Sequence, residues 1–455
     1  MTGTIVNDVH SRLNATAVHE IVRVDSVAAI QSALARARDA GQPVAIAGGR
    51  HAMGGQQFCS GGVVLDTRPL ARVLGLDVSR QTIEVEAGIQ WPALAGALSD
   101  SPLTFAQKQT GANDLSLGGA LSANVHGRGL AMRPFISDVE SFVLVSPDGV
   151  AVRCSREEQS DLFKLVVGGY GLFGVIYSVE LRLVPRRTLE RVVELRTIDE
   201  LGSAFAERID QGFVYGDFQF AIDARSDDFL RRGVFSCYRP VADRAIPAEQ
   251  RVLRAEDWRA LLRLAHTDKT RAFELYARHY LATTGQLYRS DAHQLALYDG
   301  AYHADVGPGS EMISELYVPR ALLGDFMAAA AGELRGLEAD VIYGTVRLIE
   351  RDDESVLAWA REPWACVVFN LHVEHTRLGV ERAAAAFRRL IDLSLDRGGS
   401  FYLTYHRWAT REQLETAYPQ LCDFLQAKLK RDPGGLFQSD WYRYLLSTLA
   451  LEEAA

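Results

Sequence analysis

The sequence predicts an α+β protein in two parts, because the order of its strand and helix patterns changes near residue 190. Before that point, short apolar strands alternate with helices and glycine-rich loops. After it, longer strands are separated by helical segments, a pattern typical of a sheet that carries helices on one face. A chain of 455 residues is also too long for one ordinary core, so we expect at least two domains.

Composition and charge argue against several classes of protein. Hydrophobic residues make up 48% of the chain and charged residues 24%, as in an ordinary globular protein. The net charge of −9 disfavours a nucleic-acid binder, which usually carries a basic face. No apolar run approaches the ~18 residues of a membrane span, and we expect no secretory signal. Five scattered cysteines without a CxxC pair predict a cytoplasmic protein with reduced thiols and no metal site.

The first part opens with a helical pattern that starts at a serine and ends at Gly41. Pro147-Asp148-Gly149 has the residues of a tight turn and predicts a hairpin. The elements predicted here are a helix over 26–40, strands over 43–47, 62–66 and 82–87, a helix over 91–98, the hairpin strands 142–146 and 150–154, a helix over 157–167 and a strand over 174–184.

The second part is predicted to contain a larger sheet. Its strand patterns are 213–222, 312–319, 341–350, 366–373 and 400–405, and the longest helical stretch between them runs from about 248 to 297. Residues 411–455 are mostly helical, with an interruption at Asp432-Pro433-Gly434-Gly435.

Alternation along two of these strands selects candidate functional residues. Asn370 and His372 share one face of an otherwise apolar strand, and two polar groups placed together suggest a cavity wall. Tyr343, Thr345 and Arg347 likewise share a face. The alternative is that these are edge or surface polar groups.

Three glycine-rich segments, 47–56, 110–127 and 168–174, stand out in the first part. Glycines that follow strands let backbone N–H groups approach an anion such as a pyrophosphate, although each segment alone could be a tight turn. Gly169, Gly171 and Gly174 match the spacing of the Rossmann fingerprint. A helix precedes them and a strand follows, which is the reverse of what that fingerprint requires, so NAD binding is rejected.

In order, these segments resemble PCMH-type FAD-linked oxidases of the vanillyl-alcohol-oxidase superfamily. The first is similar to the GxxHSxxGQ loop of cytokinin dehydrogenases, with His51 and Gln56 in place and Ala52 instead of Ser. The second keeps the double glycine Gly118-Gly119 and the later His126 of the sugar-oxidase branch. The third, with the preceding Asp-Leu-Phe, resembles the ELFxxxxGGxGxFGIIT run of the same domain.

The C-terminal segment 430–441 resembles the KxDPxxxFxSD ending of decaprenylphosphoryl-ribose oxidases. The closest resemblance is therefore to the sugar, alditol and aldonolactone oxidase and decaprenylphosphoryl-ribose oxidase branch, with a flavin loop like that of cytokinin dehydrogenases. It is strong over about 20–190 and 410–445 and thin between them.

The resemblance implies a PCMH-type FAD-binding domain over 1–190, a substrate-binding cap with an antiparallel sheet flanked by helices over 191–408, and a C-terminal return over 409–455. It implies FAD bound covalently through His51 by an 8α-histidyl bond. A second, cysteinyl tether is not expected, since no cysteine lies between Cys59 and Cys154. The cofactor-binding residues that it implies are Gly48, Gly49, Arg50, His51, Ala52, Gly54, Gly55, Gln56, Thr110, Gly111, Ala112, Leu115, Gly118, Gly119, Ser122, Ala123, His126, Gly174, Val175 and Ile176.

Five residues are catalytic candidates. Arg347 occupies the place of a strand arginine of alditol oxidases, although Thr345 stands where that family has glutamate. Lys430 matches an active-site lysine of the epimerase-oxidase relatives, and a solvated lysine at a helix end is the alternative. Glu315 and His372 are candidate bases, and Asn370 shares the face of His372. His126 either acts directly or supports the loop.

The expected reaction is oxidation of a CH–OH group of a polyol, sugar or related small molecule, with hydride transfer to flavin N5. Molecular oxygen is a candidate for the second substrate. C–N oxidation of an amine, as in cytokinin dehydrogenases, ranks lower, because Gly111 stands where those relatives place an acidic base. A flavin-binding protein without turnover is the alternative from another class.

Overall fold

The structure is a computed structural model, and it describes residues 3–242, 244–295 and 308–451. Within these ranges the strands form sheets of two, three, six and eight strands. The end of the predicted helical stretch at residues 296–297 lies outside the described residues. No helix in the described ranges is both long and apolar enough to cross a membrane.

A small parallel sheet of order β3-β5-β4 carries the first glycine segment at the end of β4. Ser26 caps the helix between β3 and β4, because its hydroxyl accepts a hydrogen bond from the Ala29 N–H at 3.2 Å. The elements of this region are β1 (Thr4–Val6), β2 (Thr16–Val18), β3 (Glu20–Arg23), α1 (Val27–Asp39), β4 (Val44–Ala47) and β5 (Val63–Asp66). The positions of α1, β4 and β5 agree with the predicted helix and strands, whereas β1, β2 and β3 were not predicted.

An antiparallel sheet of order β10-β9-β11-β7-β6, with β8 also on β11, carries the other two segments. The predicted hairpin is confirmed, since Ala151 of β10 pairs with Val145 of β9. The elements are β6 (Val73–Asp77), β7 (Thr82–Glu86), α2 (Trp91–Ala97), β8 (Leu103–Phe105), α3 (Leu117–Ala123), a 3-10 helix (Phe135–Asp138), β9 (Val139–Val145), β10 (Ala151–Ser155), α4 (Ser160–Val166) and β11 (Val175–Pro185).

The second part is built on an eight-stranded antiparallel sheet of order β15-β12-β14-β13-β17-β18-β16-β19. Its strands are β12 (Thr188–Thr197), β13 (Tyr215–Phe220), β14 (Arg232–Val241), β15 (Leu287–Arg289), β16 (Gly309–Pro319), β17 (Val341–Ile349), β18 (Trp364–Glu374) and β19 (Ser400–Phe401). β12, β14 and β15 were not predicted, and β19 is shorter than expected. β15 lies within the stretch 248–297 that was predicted to be helical, so that prediction is wrong beyond Leu281. A boundary at residue 190 would fall inside β12, so the three-part division stays a proposal.

Helices cover both faces of this sheet rather than one. On the outer face, Phe205 of α5 packs on Phe235 of β14 with ring centroids 5.0 Å apart. The preceding residue, Val234, faces the other way and packs against Tyr276 of α7. The outer face carries α5 (Ile198–Asp210), α8 (Leu323–Gly336) and α9 (Arg377–Leu395), and the inner face carries α6 (Ala255–Thr267) and α7 (Lys269–Leu281).

The C-terminal helices return to the first part of the chain. Trp441 packs on Tyr170 with ring centroids 4.7 Å apart. The segment between the last two helices joins the edge of β4, because the Val44 N–H donates to the Leu436 carbonyl at 2.7 Å. These helices are α10 (Arg411–Ala417), α11 (Leu421–Arg431) and α12 (Asp440–Leu449).

Candidate active site

A cavity of about 710 Å³ separates the glycine-rich segments from the inner face of the eight-stranded sheet. Its size is within the range of roughly 300–1,000 Å³ usual for cofactor and small-molecule sites. All three segments reach its wall, for example through Gly49, Gly118 and Gly174. The sheet supplies Glu315 and Arg347 on the opposite side. We call these two sides the loop wall and the sheet wall.

All of the residues predicted to bind the cofactor line this cavity except Gly54, Gly55 and Val175. The prediction for these three is corrected by their local geometry. β11 alternates, so Gly174 and Ile176 face the cavity while Val175 points into the core on the other side. Gly54 and Gly55 form a turn outside the lining, where Gly55 has a φ of +78°.

The loop wall depends on backbone that no side chain could replace. A Cβ at Gly49 would lie 2.3 Å from the Asp114 carbonyl oxygen and 2.7 Å from Cδ2 of His51. A Cβ at Gly174, where φ is +149°, would lie 2.5 Å from the Val145 carbonyl oxygen. The glycines therefore allow close packing of the loops themselves as well as close approach to a ligand.

His51 follows Arg50, whose φ of +61° turns the chain towards the cavity. Nδ1 of His51 lies 2.8 Å from Nε2 of His10. Nε2 of His51 is buried and has no hydrogen-bond partner of good geometry among the described residues. Burial, and then the charge of His10, lower the pKa of His51 to about 3, against an opposing effect of the Asp114 carbonyl. The imidazole is therefore neutral near pH 7.

Other polar atoms of the loop wall are also buried without a hydrogen-bond partner among the described residues. They include Nε of Arg50, Oε1 of Gln57, Oε1 of Gln109 and Oγ1 of Thr110. Buried polar atoms are ordinarily hydrogen-bonded, so a group of unpaired ones around a cavity indicates a polar ligand.

Glu315 of β16 is the centre of the sheet wall. Its Oε1 accepts a hydrogen bond from the Tyr405 hydroxyl at 2.7 Å, and its Oε2 accepts one from the Tyr317 hydroxyl at 3.0 Å. Nε2 of His126 lies 2.8 Å from the same Oε2, and Nδ1 of His126 lies 3.0 Å from the Gly127 carbonyl. Both nitrogens of His126 face oxygen acceptors, so His126 holds Glu315 and has no nitrogen left for a substrate.

The charges of this cluster support one another. Burial alone would raise the pKa of Glu315, but the charge and hydrogen bond of His126, then Arg347 and Tyr405, lower it to about 2. Burial acts to lower the pKa of Arg347, and Tyr343 and Glu315 raise it above its ordinary value. The carboxylate and the guanidinium are therefore both ionised at neutral pH. Nε of Arg347 is buried without a partner among the described residues.

β18 has the predicted alternation. Asn370 and Val368 line the cavity, while Phe369 packs on Phe326 of the outer helix α8. Oδ1 of Asn370 is buried and has no hydrogen-bond partner in the described part of the chain. On β17, Tyr343 and Arg347 line the cavity as expected.

His372 lies on the predicted face but beyond the end of the cavity, so its assignment as a candidate base is corrected. Nδ1 of His372 is 3.4 Å from Oε1 of Glu311, and its ring meets that of His266 of α6 edge-on, with centroids 5.0 Å apart. The three residues tie α6 to β16 and β18.

Lys430 is not at the cavity either. It lies exposed on α11, whereas Lys428, two residues earlier, is buried and forms an ion pair with Asp432. Positions 428 and 432 share a helix face, and position 430 lies on the opposite side. Asp432 also accepts hydrogen bonds from the backbone N–H groups of Leu436 and Phe437 at 3.0 and 2.8 Å. The Lys-x-Lys-x-Asp segment therefore has a structural role.

Sequence reasoning missed several groups near the site. Lys108 is 1% exposed and donates a hydrogen bond to the Gln109 carbonyl at 2.8 Å. Burial, and then the charges of Arg128 and Arg347, lower the pKa of Lys108 to about 7. Tyr405, at the end of a predicted strand, reaches Glu315 from a loop. No local pattern marks either residue, because their neighbours in space come from distant parts of the chain.

Comparisons with known proteins point to one kind of domain. The family profile described as "FAD binding domain" matches residues 18–155. The L-galactono-1,4-lactone dehydrogenase 1, mitochondrial, of Oryza sativa subsp. japonica is 30% identical over 200 residues, which are 43% of this chain and 34% of that protein. The L-gulono-1,4-lactone dehydrogenase of Mycobacterium tuberculosis is 24% identical over 442 residues, 94% of this chain and 95% of that protein.

Cytokinin dehydrogenase 7 of Oryza sativa subsp. japonica is 34% identical over 162 residues, which are 34% of this chain and 31% of that protein. The chain thus spans about a third of the length of the rice proteins that it matches. The residues matched by the family profile, 18–155, include the first two glycine-rich segments.

Proposed function

We propose that the chain is an FAD-dependent oxidoreductase that oxidises a CH–OH group, as a member of the vanillyl-alcohol-oxidase/PCMH flavoprotein superfamily in its sugar-lactone oxidase branch. The observation that carries the proposal is that one cavity joins the glycine-rich loop wall to buried, ionised Glu315 and Arg347. A flavin-binding protein without turnover has no need of two charges buried beside its cofactor, since burying charges is unfavourable.

The residues of the loop wall fit FAD. Glycine backbone at Gly48, Gly49, Gly118 and Gly119 leaves room for a close ligand, and buried unpaired atoms such as Oγ1 of Thr110 lack partners among the described residues. These groups would hold the cofactor. FAD, when bound, supplies the acceptor for the hydride that leaves the alcohol carbon.

His51 is the proposed point of covalent attachment. Its neutral ring has the lone pair that a nucleophile needs, and one nitrogen is held by His10. The other nitrogen, Nε2, is the one left without a partner of good geometry among the described residues. We propose an 8α-histidyl bond between His51 and FAD on these grounds.

Glu315 is the proposed acceptor of the hydroxyl proton. A pKa of about 2 makes Glu315 a weak base, so the alcohol must be made more acidic where it binds. Arg347 can do this, because an N–H of a buried guanidinium that donates to the alcohol oxygen stabilises negative charge most in the transition state. Lys108 has a pKa nearer 7, which suits a base. It lies behind the wall, and we assign it no proton transfer.

The proposed substrate class is a polyol, sugar or sugar lactone, and molecular oxygen is the proposed second substrate. C–N oxidation is the second candidate, because of the match to a cytokinin dehydrogenase. The geometry favours it less, since Gly111 lines the loop wall where an acidic base would be needed.

Anaerobic bleaching of the purified flavoprotein tests the reaction. Alditols, sugars, sugar lactones and amines are mixed separately with the oxidised protein, and the flavin absorbance is followed. We expect bleaching by an alcohol-type donor. Bleaching by an amine alone would overturn the CH–OH assignment, and bleaching by nothing in the panel would remove the support for turnover.

Denaturation in acid or SDS tests the covalent bond. Yellow colour and fluorescence should stay with the wild-type protein and leave with His51→Ala. Matched substitution of His19, an exposed residue that is not among the described residues lining the cavity, should leave the flavin attached. Free flavin released from the wild type would disprove the bond.

A further inference from the structure

The cavity continues past Glu315 and Arg347 into a space between the sheet and the helical hairpin α6–α7. We call this space the apolar arm. The hairpin lies on the inner face of the sheet, because Tyr276 of α7 packs on Val234. The hairpin residues that line the arm include Trp258, Leu261, Leu262, Ala265, Ala272 and Phe273.

The opposite side of the arm is also mostly apolar. Phe220 at the end of β13 and Ile222 just after that strand line it together with Ile342 of β17 and Ile313 of β16. Val252, which is 48% exposed, lines the cavity as well and marks where the arm meets solvent. The arm therefore has apolar side chains on both sides and an apolar mouth.

Two of the charged groups that reach the arm, Arg191 and Glu311, are paired within the described residues, whereas Nε of Arg128 and both ring nitrogens of His293 are buried at the cavity without a partner there. Arg191 donates to the Tyr238 hydroxyl at 2.9 Å and to the Thr283 hydroxyl at 3.1 Å. Its guanidinium also stacks on aromatic rings, including that of Tyr288 at 4.6 Å from the ring centroid. Glu311 is held by His266 at 3.2 Å. Arg191 and Glu311 have satisfied their main hydrogen bonds, so they offer little to a ligand with many hydroxyls.

A bare polyol would lose hydration between the apolar side chains of α6–α7 and the sheet and would regain few hydrogen bonds from them, which is unfavourable. An aryl or alkyl group would gain from the same burial. We infer that the apolar arm binds an aryl or alkyl substituent of the substrate, so that the preferred donor is an amphiphilic alcohol with its CH–OH group at Glu315 and Arg347. This inference rests on the proposed function and narrows its substrate class.

A homologous series measures the effect directly. Straight-chain 1,2-diols of three to ten carbons, and a diol that ends in a phenyl ring, are used as donors for anaerobic flavin reduction. We expect kcat/KM to rise about fourfold for each of the first added methylenes, which corresponds to about 0.8 kcal/mol each. Xylitol and sorbitol should be poorer donors than the long diols. A flat or falling series would overturn the inference.

Two wall variants locate the binding of the tail. Leu261→Asn places an amide in the arm and should lower kcat/KM much more for the long diols than for the three-carbon diol, which flattens the series. Ala272→Phe, at another lining position, should move the best chain length to a shorter diol. Arg263→Asn on the exposed side of α6 is the matched control and should leave the series unchanged. If neither wall variant changes it, the tail binds elsewhere and the inference is wrong.

Equilibrium binding separates this inference from the proposed function. 2-Methylalkan-2-ols have no hydrogen on the carbinol carbon and cannot be oxidised, so calorimetry reports their binding alone. If their affinity rises with chain length while no alcohol bleaches the flavin, the binding role of the apolar arm is supported and the proposed CH–OH oxidation is wrong. If polyols bleach the flavin and longer tails increase neither the rate nor the affinity, the proposed CH–OH oxidation is supported and the inference about the apolar arm is overturned.

Discussion

The loop wall and the sheet wall face each other across one cavity, and they differ in the pairing of their central polar groups, although Nε of Arg347 and Oδ1 of Asn370 in the sheet wall are also unpaired among the described residues. In the loop wall, Nε2 of His51 and Oγ1 of Thr110 are buried with no hydrogen-bond partner among the described residues. In the sheet wall, Glu315 has partners for both carboxylate oxygens, including Tyr405 and His126. The loop wall therefore offers unpaired hydrogen-bonding atoms to a ligand, whereas the Glu315 carboxylate of the sheet wall is already held by partners within the protein.

This difference separates two tasks. A wall of unpaired polar atoms gains stability when a ligand completes it, by the ordinary coupling of binding to folding. A wall of fixed charges costs no reorganisation when charge develops in a reaction, which is how preorganised sites lower barriers. We therefore expect substitutions in the loop wall to change cofactor retention and substitutions in the sheet wall to change rate.

The largest expected effect is that of Glu315→Gln in the sheet wall. The amide keeps the shape and can still accept from Tyr405, but it cannot take the hydroxyl proton. The rate of anaerobic flavin reduction should fall by about 10²–10⁴, the usual contribution of a general base, with the flavin content unchanged. Glu333→Gln on the surface of α8 is the control. If Glu315→Gln lost flavin but kept its reduction rate per bound flavin, the sheet wall would serve cofactor retention rather than the reaction.

The next largest effect concerns the support of the loop wall. Asp432→Asn leaves the buried Lys428 ammonium without its counter-charge, and breaking a buried pair in this way lowers the free energy of unfolding by about 3–5 kcal/mol. Chemical denaturation followed by tryptophan fluorescence measures the change. Lys430→Met, on the exposed side of α11, should have almost none. A rate loss in Lys430→Met at full stability would return Lys430 to the active site.

The two walls also differ in how far the sequence could predict them. The loop wall is made of contiguous segments in which glycine, histidine and their spacing are local signals, so all but three of its expected residues line the cavity. Even there, the partner His10 was not found, because 41 residues separate it from His51.

The sheet wall depends on register between distant strands. Strand alternation correctly put Asn370 and His372 on one face, but it carries no information on where along the strand the cavity ends, so His372 was misplaced. Lys430 was misplaced for a similar reason, because a motif gives a position in sequence while helix phase decides which lysine is buried. Lys108 and Tyr405 belong to the site only through folding, and no pattern near them could have shown it.

A smaller effect is expected from Gly49→Ala in the loop wall. The added Cβ would lie 2.3 Å from the Asp114 carbonyl oxygen, so the loop has to move. Overpacking of this kind lowers the free energy of unfolding by about 1–3 kcal/mol, and the protein should be purified with less than one flavin per chain. Gly96→Ala in α2, where the new methyl meets nothing within 4 Å, should keep full flavin content. Equal flavin content in both variants would contradict a need for close backbone approach at Gly49.

The smallest effect is expected at the far edge of the sheet wall, in His372→Asn. The hydrogen bond and charge of Glu311 raise the pKa of His372 against the effect of burial, with Asp340 and Glu374 acting in the same direction. A raised pKa gives stability that is complete below the unfolded pKa of about 6.5 and is lost as pH rises through the folded pKa. Glu311 has its pKa lowered to about 2 against the effect of burial, through His266 and His372, so its contribution to stability holds above about pH 4.5.

The His372→Asn variant should therefore lose about 1 kcal/mol of unfolding free energy at pH 5.5–6, which is a fall in Tm of about 1–2 °C. It should lose almost nothing at pH 9. An equal loss of stability at both pH values would mean that His372 acts by packing on His266 rather than by charge. A clear loss of flavin-reduction rate in the folded variant would return His372 to the chemistry of the sheet wall.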